Sequence, residues 1–509
     1  MDNVLSRRGA GILLHPTSLP GRFGVGDLGP EADRFLDWVQ AAGQSLWQIL
    51  PLHPTGSHDS PYGATSAFAG NPLLISPELL SEQGLVSPAA LGDSWPAAAA
   101  SGSLSQARRS KEMLLRASWE RARADRAMLE ELEGFRRAPE QAGWLRDWSL
   151  FAAVKEKRPG AWTAWPEELR RRRAEALDAA RRELAEEIAY QEFVQWLFFR
   201  QWARVKTEAN RRGIAVLGDL PIYIAHDSAD VWARQDLFLL DSSGEPELVA
   251  GVPPDAFSST GQLWGYPLYR WEQMERDGFS WWIARLRKSL ATADVVRIDH
   301  FRGFAAGWAV RARAENAIAG EWLPGPGREL FETARSALGG IPLVAEDLGI
   351  ITPDVQALLA ALDLPGMKVL QFGFSEDDSD HLPHRYRKNV VVYTGTHDND
   401  TTRGWFASLP EQDRRRVLDY LGGDGNAIEW DLIRAAYASV ANTAVVPLQD
   451  VFGLESEARM NTPGRASGNW TWRAEAPDFT AERAARLSRL AELTGRSGGR
   501  GRAPAPERA

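Results

Sequence analysis

The sequence predicts a (β/α)8 barrel with inserted, mainly helical subdomains and no separate C-terminal β-domain. Short apolar runs alternate with amphipathic helices eight times along the 509 residues, the signature of that barrel. Three of the runs end abruptly in a carboxylate: Asp299 in "DVVRIDHFRGF", Glu346 in "IPLVAEDLG" and Asp398 in "VVVYTGTHDNDTTRGW". One interval, roughly 160 residues between the second and third runs, is far too long for a simple connection. A doubly wound sheet is the structural alternative, but it rarely needs eight such units.

The strand candidates are, in order, "GILLHP" near residue 11, "SLWQILPL" near 45, "GIAVLGDLPIYI" near 213 and "DVVRID" near 294. They continue with "IPLVAED" near 341, "GMKVLQFGF" near 366, "NVVVYTGT" near 389 and "NTAVVPLQDV" near 442. Strands buried on both faces read as continuous apolar sequence. Helices fit between most of them. "PEADRFLDWVQAAG" opens on Pro30 with acids behind it and closes on Gly43, a start-and-stop pattern. "PDVQALLAALD" and "EQDRRRVLDYLGG" carry apolar residues at three-to-four spacing. The catalytic domain is expected to span residues 1–494. A helical insertion is expected over about 80–210, where the chain is rich in Ala, Arg and Glu, and a loop-like excursion over about 225–270. The Gly-, Pro- and Arg-rich tail 495–509 is expected to be disordered.

Composition narrows the function. A net charge of −9 argues against general nucleic-acid binding. No apolar run reaches the ~18 residues of a membrane span, and the N-terminus shows no secretory signal. The chain has no cysteine, which excludes disulfides and thiolate metal sites. A cytoplasmic protein, monomeric or weakly dimeric, is the expectation. The 21 Trp are mainly core residues. Those in glycine-rich loops are candidates to stack on sugar rings.

A carboxylate ending a buried strand is costly unless it is paired or functional. In a barrel the C-terminal strand ends form the active site. Asp219, Asp299, Glu346 and Asp398 all lie at such ends, on the third, fourth, fifth and seventh strands. Two carboxylates with a third stabiliser are what acid-catalysed glycosidic chemistry needs. Arg297, two residues before Asp299, points to the same sheet face, and its cation would hold Asp299 ionised. His300 and His397 flank the acids and can bond sugar hydroxyls. Asp219 either binds sugar or supports the loop behind it. Asp347 points to the opposite face from Glu346.

The ordered segments "GDLPIYIAHDSADVW", "VVRIDHFRGF", "LVAEDLG" and "TGTHDNDTTRGW" resemble the 4-α-glucanotransferase family, the amylomaltases or disproportionating enzymes of the α-amylase clan. The resemblance extends to "GILLHPTSLPG", "DSPYGATSAFAGNPLLI", "GVPPDAFSSTGQLWG", "LPGMKVLQFGF" and "VPLQDVFGLESEARMNTPGRASGNWTWR". It implies transfer of α-1,4-glucan segments between glucans by retaining double displacement. Asp299 would be the nucleophile, Glu346 the acid and then base, and Asp398 the stabiliser of the transition state. It further implies substrate contacts at Tyr62 on the donor side, and at Phe257, Gln262 and Trp264 over the acceptor. Asn469 is a candidate sugar contact on the C-terminal rim. Two positions depart from the family: Ala256, where many relatives carry an aromatic, and Tyr266, where many carry Asn. Both bear on acceptor preference and leave the acids intact.

No cofactor or metal is expected. The acidic stretch 375–380 reads as a solvated loop rather than a calcium site, and no Gly-rich phosphate loop precedes a helix. An α-amylase-like hydrolase would use the same acids. An inactive starch-binding scaffold would keep the aromatics but have no reason to keep all three acids.

Overall fold

The computed structural model describes residues 4–56, 59–94, 104–254, 258–375, 379–465 and 467–497. In chain order the strands among them are β1 (Gly9–Leu13), β2 (Leu46–Gln48), β3 (Ala215–Leu220), β4 (Leu248–Val252), β5 (Gln262–Pro267) and β6 (Val295–Ile298). They continue with β7 (Ala306–Arg311), β8 (Gly320–Pro324), β9 (Leu343–Ala345), β10 (Gly366–Val369), β11 (Val390–Tyr393) and β12 (Thr443–Pro447). Eight form one sheet in the order β10-β11-β12-β1-β2-β3-β6-β9. Every pairing in it is parallel, and these are the eight runs read from sequence. The open ends meet between β9 and β10. There the Ala345 amide donates to the Pro365 carbonyl at 2.9 Å, and the Met367 amide donates to the Asp347 carboxylate at 2.6 Å. Asp347 therefore helps close the barrel seam.

Strand alternation sorts the side chains. Leu13, Leu46, Leu217, Val295, Val344, Val369, Val391 and Val445 fill the barrel interior. Val216, Val296, Ile298 and Val392 face the helices. The same alternation carries Asp219 and Arg297 onto the inner face, two polar residues among aliphatic neighbours. β1 and β2 approach so closely that a Cβ on Gly11 would lie 2.6 Å from the Leu46 Cβ, so that position admits no side chain.

The helix Pro30–Ala41 begins at proline, with Glu31 and Asp33 in its first turn, where the helix dipole favours anions. In the long interval lie, among others, the helices Leu104–Ala122, Arg126–Arg137, Leu145–Lys157, Ala174–Glu183 and Ala185–Arg211. The last runs for 27 residues and packs against both Pro30–Ala41 and β3. It thus ends the insertion and serves as the barrel helix leading into β3.

Two expectations need correction. The stretch 225–270 is not simply loop: it holds β4 and β5. These join β7 and β8 in a four-stranded antiparallel sheet ordered β5-β4-β7-β8. β7 and β8 lie in an excursion after β6 that the sequence reading missed. β4 is short, contains Gly251, and pairs with a strand roughly 60 residues away, so local pattern gives little warning. The tail begins later than residue 495. Arg496 is fully buried and donates to the carbonyls of Gly9, Tyr437, Ser439, Ala441 and Asn442. Residues 498–509 lie outside the described residues. Among the described residues, no helix is long and apolar enough to cross a membrane.

Candidate active site

The C-terminal ends of β3, β6, β9 and β11 converge on a cleft of about 450 Å³. Asp299, Glu346 and Asp398 all line it, with Tyr62, Gln262, Trp264, Arg297, His300, His397 and Asn469.

An ion network sits at the cleft floor. One Arg297 guanidinium nitrogen donates to both Asp219 oxygens at 2.7 and 2.6 Å. The other terminal nitrogen donates to Asp299 at 2.8 Å. The Asp219 side chain is 0% exposed and also accepts from the Tyr62 hydroxyl at 2.6 Å. Asp219 therefore does not reach the cleft. Its contacts are to Arg297 and Tyr62, those expected of a residue that supports the site. Burial pushes the Asp299 carboxyl upward, while Arg297 opposes that shift; Asp219, Glu346 and Asp398 add to it. Arg297 favours the charged form of Asp299, and burial outweighs it, leaving the carboxyl raised to about 8.

Glu346 is held differently. Its two oxygens accept from the backbone N–H groups of His300 at 2.6 Å and Leu348 at 2.7 Å. His300 adopts the left-handed region at φ 50°, uncommon for a residue with a side chain. That turn follows Asp299 directly and directs an amide at Glu346. Burial raises Glu346 to about 7, against the lowering effects of Arg297 and the two amides. A carboxyl poised there can both give and take a proton near neutrality.

Asp398 lies on a turn after β11. Thr396 N and Oγ1 donate to the Asn399 side-chain oxygen Oδ1 at 2.9 and 2.8 Å. Below it, the buried Asp450 carboxylate accepts from Thr394 Oγ1, Thr402 N and Thr402 Oγ1. One Asp398 oxygen accepts from Asn461 Nδ2 at 2.6 Å, and Arg459 donates to its backbone carbonyl at 2.5 Å.

The aromatic residues frame these acids. The Tyr62 ring stacks on His397 with centroids 5.2 Å apart and planes at 13°, and Trp470 leans against both. Trp264 meets His300 edge-on at 4.8 Å, and its indole N–H donates to Gln262 at 3.2 Å. Gln262 and Trp264 sit on β5 rather than on a loop, and alternation turns them and Tyr266 toward the cleft. Burial lowers His300 to about 3, helped by Arg302. Burial also lowers His397. Both imidazoles are therefore neutral at pH 7 and offer hydrogen bonds without charge. Asn469 lines the cleft, but its carbonyl accepts from Thr462 N and its amide donates to Arg465 O, so it also staples the rim loop. Phe257, with Asp255 and Ala256, lies outside the described residues.

Sequence reasoning missed Asn461, Arg459, Trp470 and the anchor Asp450. The segments "ARMNTPG" and "GNWTW" drew attention as rim pieces, yet nothing local marks Asn461 as the partner of a residue 63 positions earlier. Among the described residues, no cluster of three or more His, Cys, Asp or Glu is arranged to hold a metal.

The chain is 49% identical over 499 residues to a Synechocystis 4-alpha-glucanotransferase, covering 97% of this chain and 99% of that one. It is 48% identical to the Thermus thermophilus 4-alpha-glucanotransferase, covering 96% and 99%. The solved amylomaltase from Streptococcus agalactiae in complex with acarbose superposes with a TM-score of 0.92 at 37% identity, covering 96% of this chain and all of that one. A family profile described as 4-alpha-glucanotransferase matches residues 14–478, and the chain belongs to that family.

Proposed function

We propose that this protein is a retaining 4-α-glucanotransferase that moves α-1,4-glucan segments between glucans. The observation that carries the mechanism is the array Asp219–Arg297–Asp299 beside a Glu346 held by two backbone amides. Asp299 takes a guanidinium contact that favours its ionised form, while Glu346 is bonded by neutral amides, a division of partners that suits a double displacement.

In the first step an Asp299 oxygen attacks the anomeric carbon of the donor. The bond from that carbon to the leaving sugar's O4 breaks, and Glu346 gives its proton to that O4. The product is a covalent glycosyl ester on Asp299. In the second step Glu346 takes the proton of an acceptor 4-hydroxyl, whose oxygen displaces Asp299 and restores the α linkage. Asp398, oriented by Asn461, binds the sugar hydroxyls and offsets the positive charge that grows on the ring. His300 and His397, both neutral, add hydrogen bonds. Tyr62, Trp264 and Gln262 supply the walls that position donor and acceptor. The expected cytoplasmic location and monomeric or weakly dimeric state belong to the same reading; cell fractionation and light scattering test them.

The role assignment is tested with Glu346→Gln and α-maltosyl fluoride. Fluoride leaves without acid help, so Asp299 should be glycosylated, and loss of the base should stall the ester. Peptide mass spectrometry should find the sugar on Asp299. A sugar on any other residue, or full turnover of the variant, overturns the assignment. Maltotriose separates transfer from hydrolysis: transfer releases glucose and longer oligomers with little net gain in reducing ends.

A further inference from the structure

The cleft does not end at the acids. Its lining also includes Arg302, Trp322 and Ile350. Trp322 is 37% exposed and Ile350 is 40% exposed, unusual for large apolar side chains from two separate elements that share one concave surface. Neither is part of the machinery assigned above.

Trp322 is also held rigidly. It lies on β8 directly opposite Trp308 on β7, and the two rings pack at 5.0 Å. Trp308 is fixed in turn by its indole N–H donating to Ala317 O at 2.9 Å. The Arg302 guanidinium sits 3.6 Å from the Trp322 ring centroid and donates to the Ile350 carbonyl at 2.6 Å. Arg302 follows Asp299 by three residues, and Ile350 follows Glu346 by four. The platform is therefore tied to the same two strand ends that carry these acids.

We propose that Trp322 and Ile350 form an acceptor subsite beyond the point of bond exchange, taking the second or a later glucose of an α-1,4-glucan acceptor. The proposal rests on the transferase reading above. Three features support it. An aromatic face and an aliphatic side chain match the C–H surfaces of a pyranose. Trp322 on β8 belongs to the same four-stranded sheet as Trp264 on β5, the residue that the proposed function sets against the acceptor. A pre-fixed ring loses little freedom on binding. The small antiparallel sheet then has a function: its two edge strands, β5 and β8, each supply an indole to the cleft, Trp264 and Trp322.

The test uses α-maltosyl fluoride as donor, with glucose, maltose, maltotriose and maltotetraose as acceptors. In the wild type, kcat/KM should climb with acceptor length. In Trp322→Ala the ratio of kcat/KM for maltotetraose to that for glucose should fall about tenfold, mostly through acceptor KM. Trp322→Phe should restore most of that ratio. Ile350→Ser changes an exposed side chain on another element and should lower the same ratio severalfold, which guards against a folding defect in the first variant. Equal losses with every acceptor, or a length dependence like that of the wild type in both variants, overturn the subsite. A wild-type enzyme that hydrolyses maltosyl fluoride without transfer to any acceptor would instead overturn the transferase reading.

Discussion

Replacing Glu346 by Gln should cost activity and yet stabilise the protein, increasingly so as pH rises. Burial lifts this carboxyl from 4.5 to about 7. A raised folded pKa means the folded chain holds the proton more tightly than the unfolded chain. Below about pH 4.5 both states are protonated, and wild type and variant differ little on this account. Between pH 4.5 and 7 the unfolded chain loses its proton first, so the wild type progressively loses stability. Above about pH 7 the loss is complete. A shift of this size corresponds to about 3 kcal/mol at most, and the carboxyl's opening to the cleft reduces it. Gln cannot titrate and escapes the whole term. It does give up one acceptor, because only one of its two terminal atoms can serve the amides of His300 and Leu348. Protonated Glu carries the same handicap, so that penalty largely cancels at low pH. Removing the charge also eases ionisation of Asp299, which Glu346 otherwise pushes up. For a chain of this length 3 kcal/mol is about 3 °C in Tm. Calorimetry at one scan rate from pH 5 to 8 should show the variant's Tm advantage growing by two to three degrees, on the order of that estimate. An advantage that stays flat or shrinks with pH would refute the claim that burial raises Glu346.

Other positions give sharper local tests. Tyr62→Phe removes the hydroxyl that donates to the fully buried Asp219 and should cost about 1–3 kcal/mol of stability, read as a lower denaturant midpoint. An unchanged midpoint would mean that Arg297 alone satisfies Asp219. Trp264→Ala should raise the hydrolysis-to-transfer ratio on maltotriose, since water reaches the ester more easily and the acceptor loses a face worth about 1 kcal/mol; an unchanged ratio would show that this wall does not guard the intermediate. Arg496→Ala removes one donor from each of five backbone carbonyls, of which Arg8 still reaches those of Tyr437, Ser439 and Ala441, and should lower Tm by about 1–3 °C. Truncation after residue 497 should leave Tm in place, and a large fall there would extend the structural role of the C-terminus.

The sequence by itself determined the barrel, its eight strands, and the three acids at the strand ends. Those features are local. A strand buried on both faces must be apolar along its length, so a run such as Val295–Ile298 or Val390–Tyr393 declares itself, and Asp299 just past its end stands out. Even the Arg297–Asp299 contact is local, because residues two apart on a strand share a face. The tertiary structure alone set Asp219 against Arg297 and Tyr62, which arrive from other segments. It alone paired Asp398 with Asn461 and hung Trp322 on a sheet woven from two separate excursions. It alone drew Arg496 into the carbonyls of Gly9 and of four residues between 437 and 442. In each case the partners are brought together by packing across tens to hundreds of residues, and no local period or propensity records a contact of that range.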